Sequence, residues 1–200
     1  WARKARGGWR GRRGFLDVQL PEKRRGVTRV LLHAVSVGET NAIRGLVPML
    51  AGEFGCEVVV SAWTDTGLAR SRELYERMDR VWVVRYPLDF SRCVRRFLDA
   101  VKPDVVGLVE LEMWPNFSLT CRRRGVPVCV INGRLSERSF KGYLRARPVL
   151  KGMFGALAAA GVQDEAYAER FRAMGTPADR VGGTGSMKWD SVAMADEVEG

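Results

Sequence analysis

The sequence predicts an α/β fold with a doubly wound, Rossmann-like parallel sheet, and two observations support this prediction. Short β-branched runs alternate with amphipathic stretches of helical length from residue 27 onward. Most of these runs are continuously apolar, which indicates strands buried on both faces, as in a parallel sheet. Ligands bind such sheets beyond the carboxyl ends of the strands, so the residues after each strand form the candidate site.

This alternation predicts the order of the strands and helices. Strands are predicted over residues 27–35, 57–62, 80–84, 104–109, 127–131, 156–162 and 180–183. Helices are predicted over residues 40–54, 67–78, 91–101, 115–124, 139–153 and 165–175. In the second helix, Leu68, Tyr75 and Met78 share an apolar face. Pro115 is typical of a helix start, and Gly125, after three arginines, is typical of a helix end.

Composition narrows the class of protein. The 200 residues are 46% hydrophobic, which is enough for one domain core. No run of about 20 apolar residues predicts a transmembrane helix, and no apolar signal-peptide core follows the basic start. Four cysteines form no C-x-x-C pair, and His33 is the single histidine. This usage favours reduced thiols in a cytosolic protein over a zinc site.

The positive charge is concentrated at the start of the chain. Residues 1–30 carry ten Lys or Arg against two acidic residues, a net charge of +8 out of +10. Trp1, Trp9 and Phe15 are interleaved with these arginines. A solvated tail, a nucleic-acid arm and a membrane-surface arm are all compatible with the pattern. We favour the membrane surface, because anionic lipid attracts basic residues and interfacial Trp adds anchoring.

The first strand is followed by Ser36-Val37-Gly38-Glu39-Thr40. Ser36 and Gly38 predict a tight polar turn, with Glu39 in the first turn of the next helix. The helix dipole favours an ionised carboxylate there, which can act as a general base. A helix cap is the competing interpretation of Glu39. The turn lacks the G-x-G-x-x-G pattern of dinucleotide-binding folds.

Two carboxylates end the fourth strand. Glu110 and Glu112 share a face of an extended chain, and such a pair needs a cationic partner, for which Arg134 after the fifth strand is a candidate. An ion-pair network that shapes the loop is the alternative. His33, inside an apolar run, is more typical of a core histidine than of a catalyst. Lys188 either neutralises a phosphate or carboxylate or is a surface lysine.

Taken together, these segments resemble the Kdo transferase family, where Kdo is 3-deoxy-manno-octulosonic acid. The resemblance covers residues 27–190, and its strings occur in the family's order and spacing. They are HAVSVGET (33–40), TDTG (64–67), YPLD (86–89), ELEMWPN (110–116), RRRGVPV (122–128), NGRLSERS (132–139), QDEAYAERFRAMG (163–175) and GSMKWD (185–190). The chain departs from the family at Asp65, Gly133, Leu111 and Met113, where Pro, Ala, Thr and Leu are usual.

The resemblance implies roles for individual residues. Glu39 matches the family's proton acceptor, and Glu110 and Lys188 match its transition-state-stabilising carboxylate and lysine. We assign substrate binding to other polar residues of the strand-end loops, namely Ser36, Gly38, Thr64, Asp89, Asn132 and Arg134. The implied reaction is an inverting, metal-independent transfer of Kdo from CMP-Kdo to a lipid A precursor, with no cofactor.

The resemblance also implies the architecture of a longer protein, a two-domain GT-B glycosyltransferase. We expect residues 1–26 to be a basic juxtamembrane-type arm and residues 27–183 the Rossmann-like acceptor-binding domain. Residues 184–200 would begin the connection to a C-terminal donor-binding domain, and a membrane anchor would precede Trp1. The expected location is the cytoplasmic face of the bacterial inner membrane, with the anionic membrane surface as a partner. The alternatives are another nucleotide-sugar GT-B enzyme and a non-catalytic nucleic-acid-binding module.

Overall fold

Seven parallel strands form one sheet in the computed structural model, which describes residues 8–111 and 113–187. The strands are β1 (Arg29–His33), β2 (Glu57–Ala62), β3 (Val81–Arg85), β4 (Val105–Val109), β5 (Val128–Gly133), β6 (Ala159–Val162) and β7 (Val181–Gly183). All of the paired strands run parallel. The predicted fold class, a Rossmann-like parallel α/β sheet, is therefore confirmed.

The strand order is β3-β2-β1-β4-β5-β6-β7. The chain builds outward from β1 to β3, then returns to the middle of the sheet and builds outward in the other direction from β4. The order therefore reverses between β1 and β4, which pair with His33 opposite Leu108. In open parallel sheets the crevice at such a reversal, beyond the carboxyl ends of the strands, is where ligands bind.

Helices cover both faces of this sheet. They are α1 (Trp9–Arg12), α2 (Val37–Ala42), α3 (Leu46–Pro48), α4 (Asp65–Tyr75), α5 (Ser91–Val101), α6 (Pro115–Arg123), α7 (Glu137–Arg145), α8 (Arg147–Phe154) and α9 (Glu165–Met174). Side chains alternate between two cores along each strand, so Leu31 joins the core under α5, α6, α8 and α9 while Val30 and Leu32 join the core under α2 to α4. None of these helices, within the residues that the structure describes, is long and apolar enough to cross a bilayer.

Two of the predicted helices are each interrupted. The helix predicted over 40–54 is divided into α2 and α3 by a turn at residues 43–45, and a π-helical turn, Met49–Glu53, continues α3. The helix predicted over 139–153 is divided into α7 and α8 at Ala146. A proline follows each break, Pro48 and Pro148. A proline ring clashes with the carbonyl four residues earlier, so a continuous helix through either position is disfavoured.

The described part of the basic arm, residues 8–26, lies against the domain. Helix α1 rests on the end of β3, where the Leu88 N–H donates to the Arg12 carbonyl over 2.7 Å. Gly8 has φ 76°, a backbone conformation that favours glycine, and a Cβ there would come within 2.4 Å of Arg85 Nε. Farther along, Asp17 pairs with Arg72 of α4. The arm is thus attached to the sheet edge by specific contacts from residue 8 onward.

Candidate functional site

The carboxyl edge of the sheet brings two predicted catalytic residues to the strand-order reversal. Glu39 lies on α2, directly after β1, and Glu110 directly follows the last residue of β4. Because β1 and β4 are hydrogen-bonded neighbours, both carboxylates belong to adjacent strand ends at the crevice. Lys188 and Glu112 lie outside the described residues. The placement of Glu39 and Glu110 agrees with a shared site.

The Glu39 carboxylate is held by the loop that precedes it. Its Oε2 accepts from the Val35 N–H over 2.8 Å, and its Oε1 accepts from the Ser36 hydroxyl over 2.8 Å. The Glu39 N–H in turn donates to Ser36 Oγ over 3.4 Å. This reciprocal arrangement is a helix cap, so the capping interpretation of Glu39 is observed. Glu39 is only 7% exposed, so the loop that binds this carboxylate also encloses it.

The backbone is strained where β4 and β5 end. Glu110 has φ 58° and Asn132 has φ 55°, in the left-handed region that non-glycine residues rarely occupy. Such conformations persist where surrounding contacts enforce them, and they cluster at functional sites. The Glu110 N–H donates to the Ile131 carbonyl over 2.9 Å, and the Asn132 carbonyl accepts from Gln163 Nε2 over 3.3 Å. Neighbouring strand ends therefore hold the backbone at both positions.

Asn132 also anchors the segment that leads to Lys188. Its side chain is buried, and its Oδ1 accepts from the Met187 N–H over 3.2 Å. Thr184 ties the same segment to β6, because its N–H donates to the Val162 carbonyl over 2.7 Å. Met187 packs against the core under α2 to α4. Residues 184–187 therefore turn back from β7 across the carboxyl ends of β6 and β5.

Thr64 joins the loops after β1 and β2. Its hydroxyl donates to the Val35 carbonyl over 2.9 Å and accepts from the Gly67 N–H over 3.0 Å, which caps α4. A Cβ on Gly67 would lie 2.9 Å from both Thr64 Oγ1 and the Val35 carbonyl oxygen. The glycine of the Thr-Asp-Thr-Gly string is thus required by close approach of the two loops, and Thr64 holds the Glu39 loop in place.

Asp89 caps helix α6, although the two are far apart in the sequence. Its two carboxylate oxygens accept from the backbone N–H groups of Asn116 and Phe117, over 2.9 and 2.8 Å, at the start of α6. Trp114, the residue at the cap position of that helix, supplies no side-chain bond. Burial raises the pKa of Asp89, and the hydrogen bonds from Asn116 and Phe117 oppose that rise. The carboxylate predicted to bind substrate is thus already engaged in the fold.

Arg134 and Gly38 are the exposed members of the predicted set. The Arg134 side chain makes no hydrogen bond or ion pair with any residue in the described ranges, so the expected pairing with Glu110 is absent there. A Cβ on Gly38 would meet only Ser36 Oγ, at 3.9 Å, so no steric requirement for glycine arises at that position. Among the residues that the structure describes, Arg134 therefore has no counter-charge at the carboxyl edge.

An aromatic cluster that was not predicted lies at the carboxyl ends of β1 to β4. Trp63 stacks on Trp114 with ring centroids 5.5 Å apart, and Tyr86 contacts Trp63 edge-on at 6.4 Å. Tyr86 also stacks on His33 at 3.7 Å. The Arg12 guanidinium lies 4.7 Å from the Trp63 ring centroid, within cation–π range. The sequence signal was an aromatic residue in or next to each of three strand-end strings: Trp63 precedes TDTG, Tyr86 begins YPLD and Trp114 lies within ELEMWPN.

His33 is a core residue, as the sequence favoured. Its imidazole is fully buried, and its Nδ1 lies 3.1 Å from Ser61 Oγ and 3.2 Å from the Ser61 carbonyl. Its Nε2 has no hydrogen-bond partner among the described residues. Burial lowers the pKa of His33 to about 3, and the Ser61 backbone contact only partly opposes this. A neutral imidazole that packs against Tyr86 has a structural role.

Two solved structures show the same fold as this chain. A UDP-N-acetylglucosamine 2-epimerase from Neisseria meningitidis matches with a TM-score of 0.62 and 16% identity, over 85% of this chain and 50% of that one. The S. aureus MnaA–UDP structure matches with a TM-score of 0.60 and 14% identity, over 84% of this chain and 47% of that one. At these identities the likeness establishes the fold alone. The chain has the Rossmann-like fold found in GT-B-type proteins.

Sequence relatives define the family. The model of the family described as 3-deoxy-D-manno-octulosonic-acid transferase (kdotransferase) matches residues 7–191. The 3-deoxy-D-manno-octulosonic acid transferases of Bordetella pertussis and Haemophilus influenzae are 34% and 30% identical, each over 80% of this chain and 38% of the relative. A bifunctional glycosyltransferase/methyltransferase of Fusobacterium nucleatum is 29% identical, over 80% of this chain and 25% of the relative. The chain belongs to the Kdo transferase family and spans well under half the length of these relatives.

Proposed function

We propose that the full-length protein transfers Kdo from CMP-Kdo to a hydroxyl of a lipid A precursor, and that this chain is its acceptor-binding half. Family membership supports glycosyl transfer as the class of reaction. The observation that carries the assignment of the site is the position of Glu39 and Glu110 after β1 and β4, the two strands at the reversal of strand order. A ligand in that crevice meets both carboxylates.

The proposed reaction is a single inverting displacement without metal or cofactor. The acceptor oxygen bonds to the anomeric carbon of Kdo as the bond to CMP breaks, and Glu39 takes the acceptor proton. The contacts from Val35 and Ser36 hold the Glu39 carboxylate in a fixed position for this step. Glu110 would stabilise the positive charge that develops on the sugar, and Lys188 would offset negative charge on the donor or leaving group.

Five of the residues predicted to bind substrate divide into two groups under this proposal: those that support loops and one that is free to contact the acceptor. Ser36, Thr64 and Asn132 form hydrogen bonds that shape the loops around Glu39 and the segment before Lys188. Asp89 positions the start of α6 in the same way. Arg134 remains exposed at the edge of the crevice, where its guanidinium suits an acidic group of the acceptor. Most of these side chains would therefore serve the acceptor indirectly, by holding the loops that contact it.

We place the protein at the cytoplasmic face of the bacterial inner membrane, because a lipid-linked acceptor resides in a bilayer. The basic arm, residues 1–26, is the segment that the sequence suggests for contact with anionic lipid. Arg10 and Arg13, together with the 64%-exposed Trp9, lie on the outer surface of its described part. Such a mixture of cations and interfacial aromatics suits a membrane–water boundary.

The test of this proposal is donor and acceptor specificity. Purified full-length protein is incubated with a lipid A precursor and a panel of nucleotide sugars, and product formation is followed by mass spectrometry. We expect transfer from CMP-Kdo alone, and transfer from a different nucleotide sugar would contradict the proposal. We expect the isolated 200-residue chain to transfer nothing and to show no micromolar affinity for CMP by calorimetry, since the donor would bind the second domain.

A further inference from the structure

Helices α7 and α8 present a basic surface that the arm does not account for. We define the α7–α8 surface by Arg138, Lys141, Leu144, Arg145 and Arg147, all of which are exposed. None of the α7 residues is buried, although the helix packs beside α8 and α9. The only acidic residue on either helix is Glu137, so this short segment has a strong local excess of positive charge.

These charges are available to a partner. Arg138, Arg145 and Arg147 make no side-chain hydrogen bond or ion pair with any residue the structure describes, and Lys141 pairs only with the exposed Glu137, at 2.6 Å. In the arm, by contrast, several charges are committed to the domain. Arg12 is buried against Trp63, and Lys23 forms an ion pair with Asp104.

The surface also has an apolar border. Arg138, Lys141 and Arg145 are spaced at i, i+3 and i+7, so they form one stripe along α7. Leu144 lies between this stripe and Phe140, and 41% of Leu144 is exposed. A basic stripe next to a partly uncovered apolar stripe is typical of helices that lie in a membrane interface. A purely phosphate-binding surface for nucleic acid has no need of an exposed leucine.

We propose that the α7–α8 surface binds anionic lipid headgroups and orients the domain on the bilayer. The inference rests on the proposed function, because it assumes an acceptor that lies in a membrane. Helix α7 begins four residues after β5 ends, so the surface starts at the same edge of the sheet as Glu39 and Glu110. Contact through α7 and α8 brings that edge towards the membrane surface.

The experiment measures vesicle binding and not sugar transfer, so its outcome is independent of the proposed reaction. The 200-residue chain is co-sedimented with vesicles of equal parts phosphatidylglycerol and phosphatidylcholine, and with vesicles of phosphatidylcholine alone. We expect binding to the anionic vesicles only. Binding should weaken as salt shortens the Debye length from about 10 Å at 0.1 M to about 3 Å at 1 M.

The decisive variant is the triple substitution Arg138→Gln, Arg145→Gln and Arg147→Gln. Each arginine near an anionic surface contributes about fivefold to partitioning, or about 1 kcal/mol, so the triple variant should bind on the order of 100-fold more weakly. The matched control replaces Arg77, Arg92 and Arg95 with Gln. Those three arginines are also exposed and lack side-chain partners within the described ranges, and they lie away from α7. We expect the control to bind nearly as wild type, with unchanged circular dichroism for both variants.

Several results would overturn the proposal. Equal losses in the two triple variants would show that net charge alone attracts the chain. Unchanged binding by the α7–α8 variant, with loss of binding on deletion of residues 1–7, would assign the membrane contact to the arm. Tighter binding of an oligonucleotide than of anionic vesicles at physiological salt would favour a nucleic-acid partner.

Leu144→Ser should weaken vesicle binding at high salt, where the apolar contribution remains.

Discussion

Replacement of Glu39 by Gln tests the general-base assignment directly. Glutamine keeps the size of the side chain but cannot take a proton. Its amide oxygen can accept from the Val35 N–H, and its amide nitrogen can donate to Ser36 Oγ once that hydroxyl rotates. The loop around α2 should therefore keep its conformation, and the variant should differ from wild type chiefly in proton transfer.

The structure sets the expected magnitudes. An exposed carboxylate in the first turn of a helix contributes about 0.3–1 kcal/mol to stability through the helix dipole. Glu39 is instead 7% exposed and accepts two hydrogen bonds that become neutral in the variant, so we expect a loss of about 1–3 kcal/mol. For a domain of this size that lowers Tm by about 3–10 °C. Loss of a general base lowers kcat by about 10²–10⁴.

The assay separates these two effects with a matched control. CMP release from CMP-Kdo in the presence of a lipid A precursor is measured on full-length protein, well below the Tm of each variant. Asp164→Ala is the control, because Asp164 caps α9 by accepting from the Tyr167 N–H over 2.8 Å and has no proposed catalytic role. We expect it to lose about 0.5–2 kcal/mol of stability and to keep its kcat.

Two results would refute the reasoning. A Glu39→Gln enzyme that turns over at a rate near wild type while losing stability would make Glu39 a helix cap and nothing more. Equal losses of kcat in Glu39→Gln and Asp164→Ala would show that disturbance of a loop at the carboxyl edge is enough to stop the reaction. In either case the role of proton acceptor would pass to another group.

Three further predictions concern the frame of the site. The pKa of His33 in the folded protein is about 3, below its ordinary value of 6.5, so the imidazole signals of this single histidine should not titrate between pH 8 and pH 5 in NMR spectra. In the unfolded chain the imidazole takes up a proton near pH 6.5. His33 should therefore lower the free energy of unfolding by about 1.4 kcal/mol per pH unit as pH falls from about 6.5 towards 3. Titration near pH 6.5 would contradict burial. Gly67→Ala should destabilise by about 1–3 kcal/mol in urea unfolding, since the new Cβ meets two oxygens at 2.9 Å, whereas Gly142→Ala, with nothing within 4 Å, should stabilise. Asn132→Gly relieves the positive φ but removes the hydrogen bond to the Met187 N–H, so hydrogen exchange at the Met187 amide should quicken by about fivefold. Asn132→Asp keeps the acceptor oxygen, so its exchange rate at Met187 should stay close to that of wild type. Equal exchange rates in the two variants would remove that bond as the anchor.

The sequence by itself determined the class of fold and the strand-end strings. Continuous apolar runs such as residues 58–60 and 105–109 indicate strands buried on both faces, so parallel pairing followed from local composition. The strings after the first and fourth predicted strands identified Glu39 and Glu110 as candidates, and Pro115 and Gly125 marked the ends of α6 as observed. These are local properties, which neighbouring residues in the chain largely fix.

Only the tertiary structure decided which strand ends are neighbours and what each polar side chain contacts. The same apolar runs suit many strand orders, because each buries its faces equally well beside any other, so the adjacency of β1 and β4 was not readable in advance. Asp89 caps α6 from 27 residues away, and Arg12 reaches Trp63 across 51 residues. Such contacts depend on how distant segments pack, and packing turned several predicted substrate-binding residues into supports for the loops around Glu39.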